Sequence, residues 1–548
     1  MRSGGRIVVD ALEAHDVEFV FSLPGESFLP VLDALHDSPI RLITCRHEGG
    51  AANAAEAVGK LTGRPGVCLV TRGPGATQAA VGVHTARQDS SPMLLLVGQV
   101  PRTFRGREAW QELDYARVFG GIAKAAWEVE EAARLPEELA RAFATAVSGR
   151  PGPVVLALPE DVLAEEVDVP DAAPLAPGER APQEDEMRRL AELLAAAERP
   201  LVVAGEGGWT SGTGTDLLAF CEVAELPVAA SFRCQDFVDN RSPSYAGVLG
   251  VAMDERLAAR LRDADLVLAV GGRLGEVPTR RYTLLEPPCP HQTLVHVHPD
   301  PAELGFVYEP ELGIVASPAA FAAALRRLDP PAPRWREWTR AARAEYEANL
   351  RHEPMEGAVD LGEVMAFLRG RLPSDAVHTC GAGNFTVWAH RFAEFTSFGT
   401  QACPRSGSMG YGVAAAAAAK LLHPDRIVLC FTGDGDFVMS APDFATAVQH
   451  ELPIVVLLVN NGMFATIRMH QERAYPGRPV GTDLVNPDFV AFARAHGAHG
   501  ERVERTEDFA AAFERALQSG RPALLELPVD PERISPRVRL SELRGRAT

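Results

Sequence analysis

Short, almost wholly apolar runs recur along the chain and alternate with amphipathic or alanine-rich stretches. In the first third they are VEFVFSL (17–23), RLITC (41–45), GVCLVTR (66–72) and MLLLVGQ (93–99). In the middle third they are RPLVVAG (199–205), LPVAAS (226–231), DLVLAVGG (265–272) and TLVHVHP (293–299). In the last third they are DAVHTCG (375–381), RIVLCFTG (426–433), PIVVLLVN (453–460) and ALLELPV (523–529). A strand with no polar face belongs to a parallel sheet covered by helices on both sides. The pattern therefore predicts an α/β protein with three doubly wound parallel-sheet domains, whose ligands sit at the carboxyl ends of strands. Two proline-rich stretches, EEVDVPDAAPLAPGERAPQEDE (165–186) and DPPAPRWR (329–336), read as boundaries. They divide the chain near 1–165, 187–328 and 355–548. A length of 548 residues agrees, since one core does not grow that large.

Charge and cysteines narrow the partners. A net charge of −19 speaks against nucleic acid and against an anionic membrane surface, both of which reward clustered Lys and Arg. The eight cysteines form no CxxC pair, so neither a zinc site nor a disulfide framework is expected. Reduced thiols in a cytoplasmic protein are the expectation. The N-terminal stretch has no apolar core suited to a signal peptide, and the run 455–459 is far too short to cross a bilayer.

The candidate chemistry lies in RIVLCFTGDGDFVMSAPDFATAVQHELPIVVLLVNNGM (426–463). This reads as a strand ending at Gly433, a short helix over 440–450, and a second strand ending at Asn460 and Asn461. A right-handed crossover brings Asp434 and Asn461 to one edge. One carboxylate and one amide oxygen suit a hard cation such as Mg²⁺, completed by water and phosphate oxygens. Gly433 and Gly435 let the backbone approach a phosphate, and the N–H groups that follow can donate to it. Either element alone is an ordinary turn; the combination singles the segment out.

GDG followed by NN resembles the cofactor signature of the thiamine-diphosphate enzymes, the group of acetohydroxyacid synthase, pyruvate oxidase and benzoylformate decarboxylase. The resemblance covers nearly the whole chain. It implies Asp434, the Asn461 side chain and the Met463 carbonyl as Mg²⁺ ligands, with N–H groups of Gly435 and Asp436 on the diphosphate. Family members often have a small residue where Asp436 stands, and an acid beside a diphosphate is electrostatically awkward unless its side chain turns away. RSGSMGYGVAAAAAAK (405–420) resembles the segment that grips the thiazolium: Gly407 lies within it, and Met409 matches the bulky residue that bends the cofactor. Gly383 and Asn384 resemble a further diphosphate contact. RHEGGAANAAEAVGK (46–60) resembles the segment of the catalytic glutamate, which makes Glu48 the acid that hydrogen-bonds the aminopyrimidine ring and promotes deprotonation of the thiazolium. Gly73, in GPG, resembles the loop lining the pyrimidine pocket, and Pro24 its early Pro-Gly turn. Gln111, beside Trp110, matches a glutamine near the reacting carbon. Glu26 and His470 are candidate proton-handling residues; His84 and Arg468 stay open.

The resemblance also separates this chain from biosynthetic acetohydroxyacid synthases. In GGRLGEVPTRRY (271–282), Arg273 is retained, but Gly275, Glu276 and Val277 replace an acidic–acidic–arginine run tied to FAD. FAD is therefore not expected. Val277 and His470 replace an arginine and a tryptophan that select the acceptor, so the substrate should differ. The glycines of AGEGGWTSGTG (204–214) do not make a dinucleotide fingerprint. The implied function is a thiamine-diphosphate- and Mg²⁺-dependent carboligase that decarboxylates a 2-oxo acid and passes the acyl carbanion to a second carbonyl, a 2-oxo acid or an aldehyde. Simple 2-oxo-acid decarboxylation is the alternative. A silent cofactor-binding regulator and a nicotinamide-dependent dehydrogenase are readings of other classes. The family places active sites at a subunit interface, which implies a homodimer or homotetramer.

Overall fold

All of these apolar runs become strands of parallel sheets. The computed structural model describes residues 1–175, 178–355 and 357–544. The first sheet holds β1 (Phe19–Ser22), β2 (Arg41–Thr44), β3 (Gly66–Val70), β4 (Met93–Gln99), β5 (Ala125–Glu128) and β6 (Pro153–Pro159), in the order 2-1-3-4-6-5. The second holds β7 (Pro200–Ala204), β8 (Val228–Ala230), β9 (Tyr245–Val248), β10 (Leu266–Val270), β11 (Thr293–His298) and β12 (Leu312–Val315), in the order 9-8-7-10-11-12. The third holds β13 (Val377–Cys380), β14 (Gln401–Ala402), β15 (Val428–Gly433), β16 (Val455–Asn460), β17 (His499–Arg502) and β18 (Ala523–Pro528), in the order 14-13-15-16-18-17. The central order reverses direction once, and the outer two reverse there as well and again at the last strand, which steps back inside the edge. The first reversal is the doubly wound pattern and opens a crevice at the strands' carboxyl ends.

Both faces of the central sheet are covered, as its apolar runs require. Val202 and Ala204 join the cluster around Trp335 and Leu217, whereas Leu201 and Val203 join the one around Leu257 and Leu285. Burying each Val or Leu among them stabilises the fold by about 1.5–3 kcal/mol. The helices that carry site residues are α1 (Glu48–Thr62), α2 (Pro74–Asp89), α3 (Thr386–Phe392), α4 (Asp434–Met439), α5 (Ala441–Gln449) and α6 (Ala465–Ala474). The short helix expected over 440–450 is α5, and a further helix, α4, stands between it and the strand. α4 begins at Asp434 itself, and Ser440 followed by Pro442 in the first turn starts α5.

The three sheets fall into two compact units. The first comprises Met1–Gly178, Val413–Pro424 and Ser440–Leu452; the second comprises Glu179–Gly412, Asp425–Met439 and Pro453–Thr548. The second unit thus joins two sheets. Asp236 is one reason: its Oδ2 accepts the N–H groups of Gly399, Thr400 and Gln401 at 3.0–3.1 Å. Residues 165–186 are largely coil, with Ala176 and Pro177 outside the described residues. The stretch 329–336 is tied down instead. Trp335 is buried and donates its Nε1–H to the Ala224 carbonyl at 3.1 Å, and the next helix lays Tyr346 edge-on to Tyr245. No helix among the described residues is long and apolar enough to cross a membrane.

Candidate active site

In the second unit, the carboxyl end of the third sheet opens onto a cavity of about 250 Å³. β15 and β16 are hydrogen-bonded neighbours with Gly433 opposite Val459, so Asp434 and Asn461 leave the sheet at the same edge. Both line the cavity, together with Met463. Burial raises the Asp434 carboxyl above its ordinary value, and donors oppose that shift. Its Oδ2 accepts from Asn486 Nδ2 at 2.7 Å and from the Gly462 N–H at 2.9 Å. Asn486 also donates to Asn460 Oδ1 at 3.1 Å, holding the strand end in place. Asn461 Oδ1 accepts the Met463 N–H at 3.2 Å across Gly462, whose φ of +68° suits glycine alone at low cost. The Met463 carbonyl accepts the Ala465 N–H at 2.9 Å and keeps a second lone pair.

Asp436 faces away from the cavity's charge problem. Its Oδ2 accepts the Thr432 hydroxyl at 2.7 Å, and its Oδ1 accepts the N–H groups of Gly410 and Ala382 at 2.9 and 3.1 Å. Burial pushes this carboxyl up to about 6. The acid therefore braces three cavity-forming segments to one another, and only its backbone is left for a phosphate. The glycines are demanded by aromatic neighbours. A Cβ on Gly435 would stand 2.5 Å from the Phe464 ring, and one on Gly433 2.9 Å from Phe385. Gly383, Asn384, Gly407 and Met409 also line the cavity. Asn384 Oδ1 accepts the Thr466 hydroxyl at 3.0 Å, which ties that loop to α6.

These residues fit a magnesium diphosphate. The donor set is all oxygen, from a carboxylate, an amide and a carbonyl, which suits a hard cation. The first-turn N–H groups of α4 have no intrahelical acceptor.

In the first unit, Glu48 opens α1 directly after the cap residue His47, whose Nδ1 accepts the Gly49 N–H at 2.9 Å. Glu48 is buried, and its Oε1 lies 3.3 Å from where a Gly75 Cβ would be. The carboxylate thus rests against the Gly73-Pro74-Gly75 turn. Gly73 has φ +48° and donates its N–H to Tyr115 Oη at 2.9 Å. The Gln111 backbone covers that turn, and its Oε1 is buried without a hydrogen-bond partner. Gln111 itself sits at φ +64°, a strained conformation for a non-glycine residue. Thr71 stands between this turn and the Pro24-Gly25 turn: a Cβ would meet it at 2.9 Å from Gly75 and 2.7 Å from Gly25. Glu26 is exposed and paired with Arg72 at 3.1 Å.

The other candidates lie apart. His470 is exposed on α6 and does not line the cavity, and His84 is exposed on α2. Arg468 is buried and paired with Asp483 at 2.6 Å. Arg273 is engaged with Glu303 at 3.0 Å. Sequence reasoning missed Asn486, Phe385 and Phe464. Asn486 lies in coil, with no motif or periodicity to mark it.

Comparison with known proteins matches residues 2–118 to the N-terminal TPP binding domain of thiamine pyrophosphate enzymes, 187–325 to their central domain and 381–527 to their C-terminal TPP binding domain. The chain is 32% identical to the acetolactate synthase large subunit of Parasynechococcus marenigrum (strain WH8102), covering 96% of this chain and 87% of that one. It is 31% identical to the acetolactate synthase isozyme 2 large subunit of Escherichia coli (strain K12), covering 96% of each. It is 30% identical to the probable acetolactate synthase large subunit of Methanocaldococcus jannaschii, covering 98% and 93%.

Proposed function

The chain belongs to the thiamine pyrophosphate enzyme family, and on that premise we propose that it is a thiamine-diphosphate- and Mg²⁺-dependent carboligase of the acetolactate synthase kind, acting on a 2-oxo acid. The observation that carries this reading is the cavity where Asp434, Asn461 and Met463 converge from adjacent parallel strands. Segments 1–165, 187–328 and 355–548 act as pyrimidine-binding, central and diphosphate-binding domains.

Asp434, Asn461 and the Met463 carbonyl would hold the metal, and the backbone of Gly433, Gly435 and Asp436 would meet the diphosphate. Gly383, Asn384 and Gly407 would complete its walls, and Met409 would supply the wedge against the cofactor. Thiamine diphosphate, when bound, supplies a nucleophilic carbon and an electron sink for the carbanion. Glu48 holds and returns a proton at the pyrimidine ring, in a pocket walled by Gly73 and the Pro24-Gly25 turn. Gln111 offers an amide, with its buried Oε1 unpartnered, toward the reacting carbon. The active assembly is a homodimer or homotetramer.

Simple decarboxylation is the less favoured reading, since the relatives named above are synthases throughout. The test is pyruvate with added thiamine diphosphate and Mg²⁺, followed by a panel of 2-oxo acids and aldehydes, with products read by mass spectrometry. Acetolactate, acetoin or another ligation product supports carboligation. Acetaldehyde from pyruvate, with no ligation product across the panel, would overturn it.

A further inference from the structure

The carboxyl ends of β13 and β14 hold a second cluster that the proposed chemistry does not use. The two parallel strands pair His378 with Gln401 and Thr379 with Ala402. The next residue on each is Cys380 and Cys403. Adjacent strands lie about 4.8 Å apart, so the two thiols come side by side. His390 on α3 completes the group: one ligand atom from each of the three residues lies within 4.8 Å of the others. All three residues are buried. Neither ring nitrogen of His390 has a nitrogen or oxygen partner, an unusual state for a buried polar group.

Arg233 adds the electrostatic reason. It is buried, and it donates to the carbonyls of Pro404 and Gly381, the residues directly after the two cysteines. Both acceptors are neutral, and Arg233 Nε has no hydrogen-bond partner. A buried cation in that position favours an anion close by. Burial alone would raise the Cys380 thiol, but the Cys403 thiol, Arg233 and His390 together hold it well below its ordinary value.

We propose that Cys380, Cys403 and His390 form a binding site for one thiophilic monovalent cation, copper(I), with Arg233 supplying the balancing charge. Two thiolates are the soft donors that select such an ion, and an imidazole suits copper as the third ligand. The charges close: two thiolates, one monovalent cation and one guanidinium sum to zero. Divalent zinc would leave a buried positive charge and prefers a fourth ligand, which no further His, Cys, Asp or Glu among the described residues supplies within that radius. A disulfide would leave Arg233 facing a neutral group. Binding is a ligand exchange without redox change: copper(I) joins the Cys380 thiolate and the Cys403 thiol, and the latter releases one proton. The ion would fasten the roots of two loops that line the cofactor cavity, 381–385 and 404–409. The site stands whether or not the cofactor reading does, since its test needs no turnover.

The full-length protein carrying Cys289→Ser, which removes the one exposed thiol, is reduced without oxygen and titrated with copper(I) against bicinchoninate. One copper per chain is expected. Cys403→Ser or His390→Ala should weaken it by about 100-fold or more, and Arg233→Met by about tenfold, the scale of an outer-shell partner. X-ray absorption on the Cys289→Ser protein, which needs no ligand variant to fold, should show two sulfurs and one nitrogen. Failure to retain stoichiometric copper would overturn the site. So would undiminished affinity in Cys380→Ser/Cys403→Ser, or a copper shell without nitrogen.

Discussion

Glu48 is placed by three independent features: the first turn of α1, its burial, and the glycine turn against its carboxylate. A side chain held this way can position one proton, and little else nearby can replace it. Replacing Glu48 with Gln keeps the shape and removes the acid. Turnover should fall by about 10²–10⁴-fold, the range for general acid–base groups. Thermal stability should stay close to wild type, and steady-state rates with saturating cofactor will read the loss. Near-wild-type turnover would remove Glu48 from the mechanism. Such residues were legible in the sequence because each sits where a strand ends, and strand ends are where open sheets hold ligands. Asn486, Phe385 and Phe464 were not legible. Phe385 and Phe464 line the cavity and Asn486 holds Asp434, through contacts far apart in sequence that no spacing rule encodes. His470 was legible only as a residue type, since position on a helix does not say what the helix faces; α6 lends Ala465, Thr466 and Ile467 to the cavity and leaves His470 exposed.

Among elements, legibility followed position in the sheet. The unmarked strands were β5, β6, β9, β12, β14 and β17, and all but β6 are sheet edges. An edge strand pairs on one side only, so it can be short or polar and escapes an apolar-run criterion. The β14 edge spans only Gln401–Ala402. The helices held a similar surprise in α5. Its Asp443 is buried against the first turn of α1, so close that a Cβ on Gly50 would stand 1.9 Å from Asp443 Oδ1. Burial pushes the Asp443 carboxyl up to about 8, from an ordinary value of 3.8. The folded state therefore keeps this proton where the unfolded chain gives it up. Stability from the neutral group is full below about pH 4 and is lost as pH rises toward 8, with a slope of at most about 1.4 kcal/mol per pH unit. Asp443→Asn abolishes the titration. Urea melts at pH 5 and pH 8 should show wild type losing stability relative to Asp443→Asn. A difference that stays flat from pH 5 to pH 8 would mean that Asp443 is ionised in the folded protein.

At the scale of the whole molecule, the two constellations belong to different compact units: Glu48 lies in one, and Asp434 with Asn461 in the other. The repeated sheet pattern was legible from hydrophobicity alone, because each parallel sheet needs its own set of apolar strands. Which units share a core was not, because that depends on polar links such as Asp236 to the 399–401 backbone. If the subunit-interface arrangement that the resemblance implies carries over to the proposed assembly, Glu48 of one copy serves the metal site of another. Two inactive variants decide the matter. Glu48→Gln lacks the acid, and Asp434→Ala lacks the metal ligand. Co-expressed with different affinity tags, they form hybrids with one site carrying both lesions and one carrying none. The mixture should recover about a quarter of wild-type activity, the statistical share of intact sites in a two-fold dimer with random pairing. Hybrids isolated through both tags should reach about half, since each such dimer holds one intact site of two. If Glu48 and Asp434 of the same chain served one site, every site in the hybrid would keep a lesion and the isolated hybrid would be inactive.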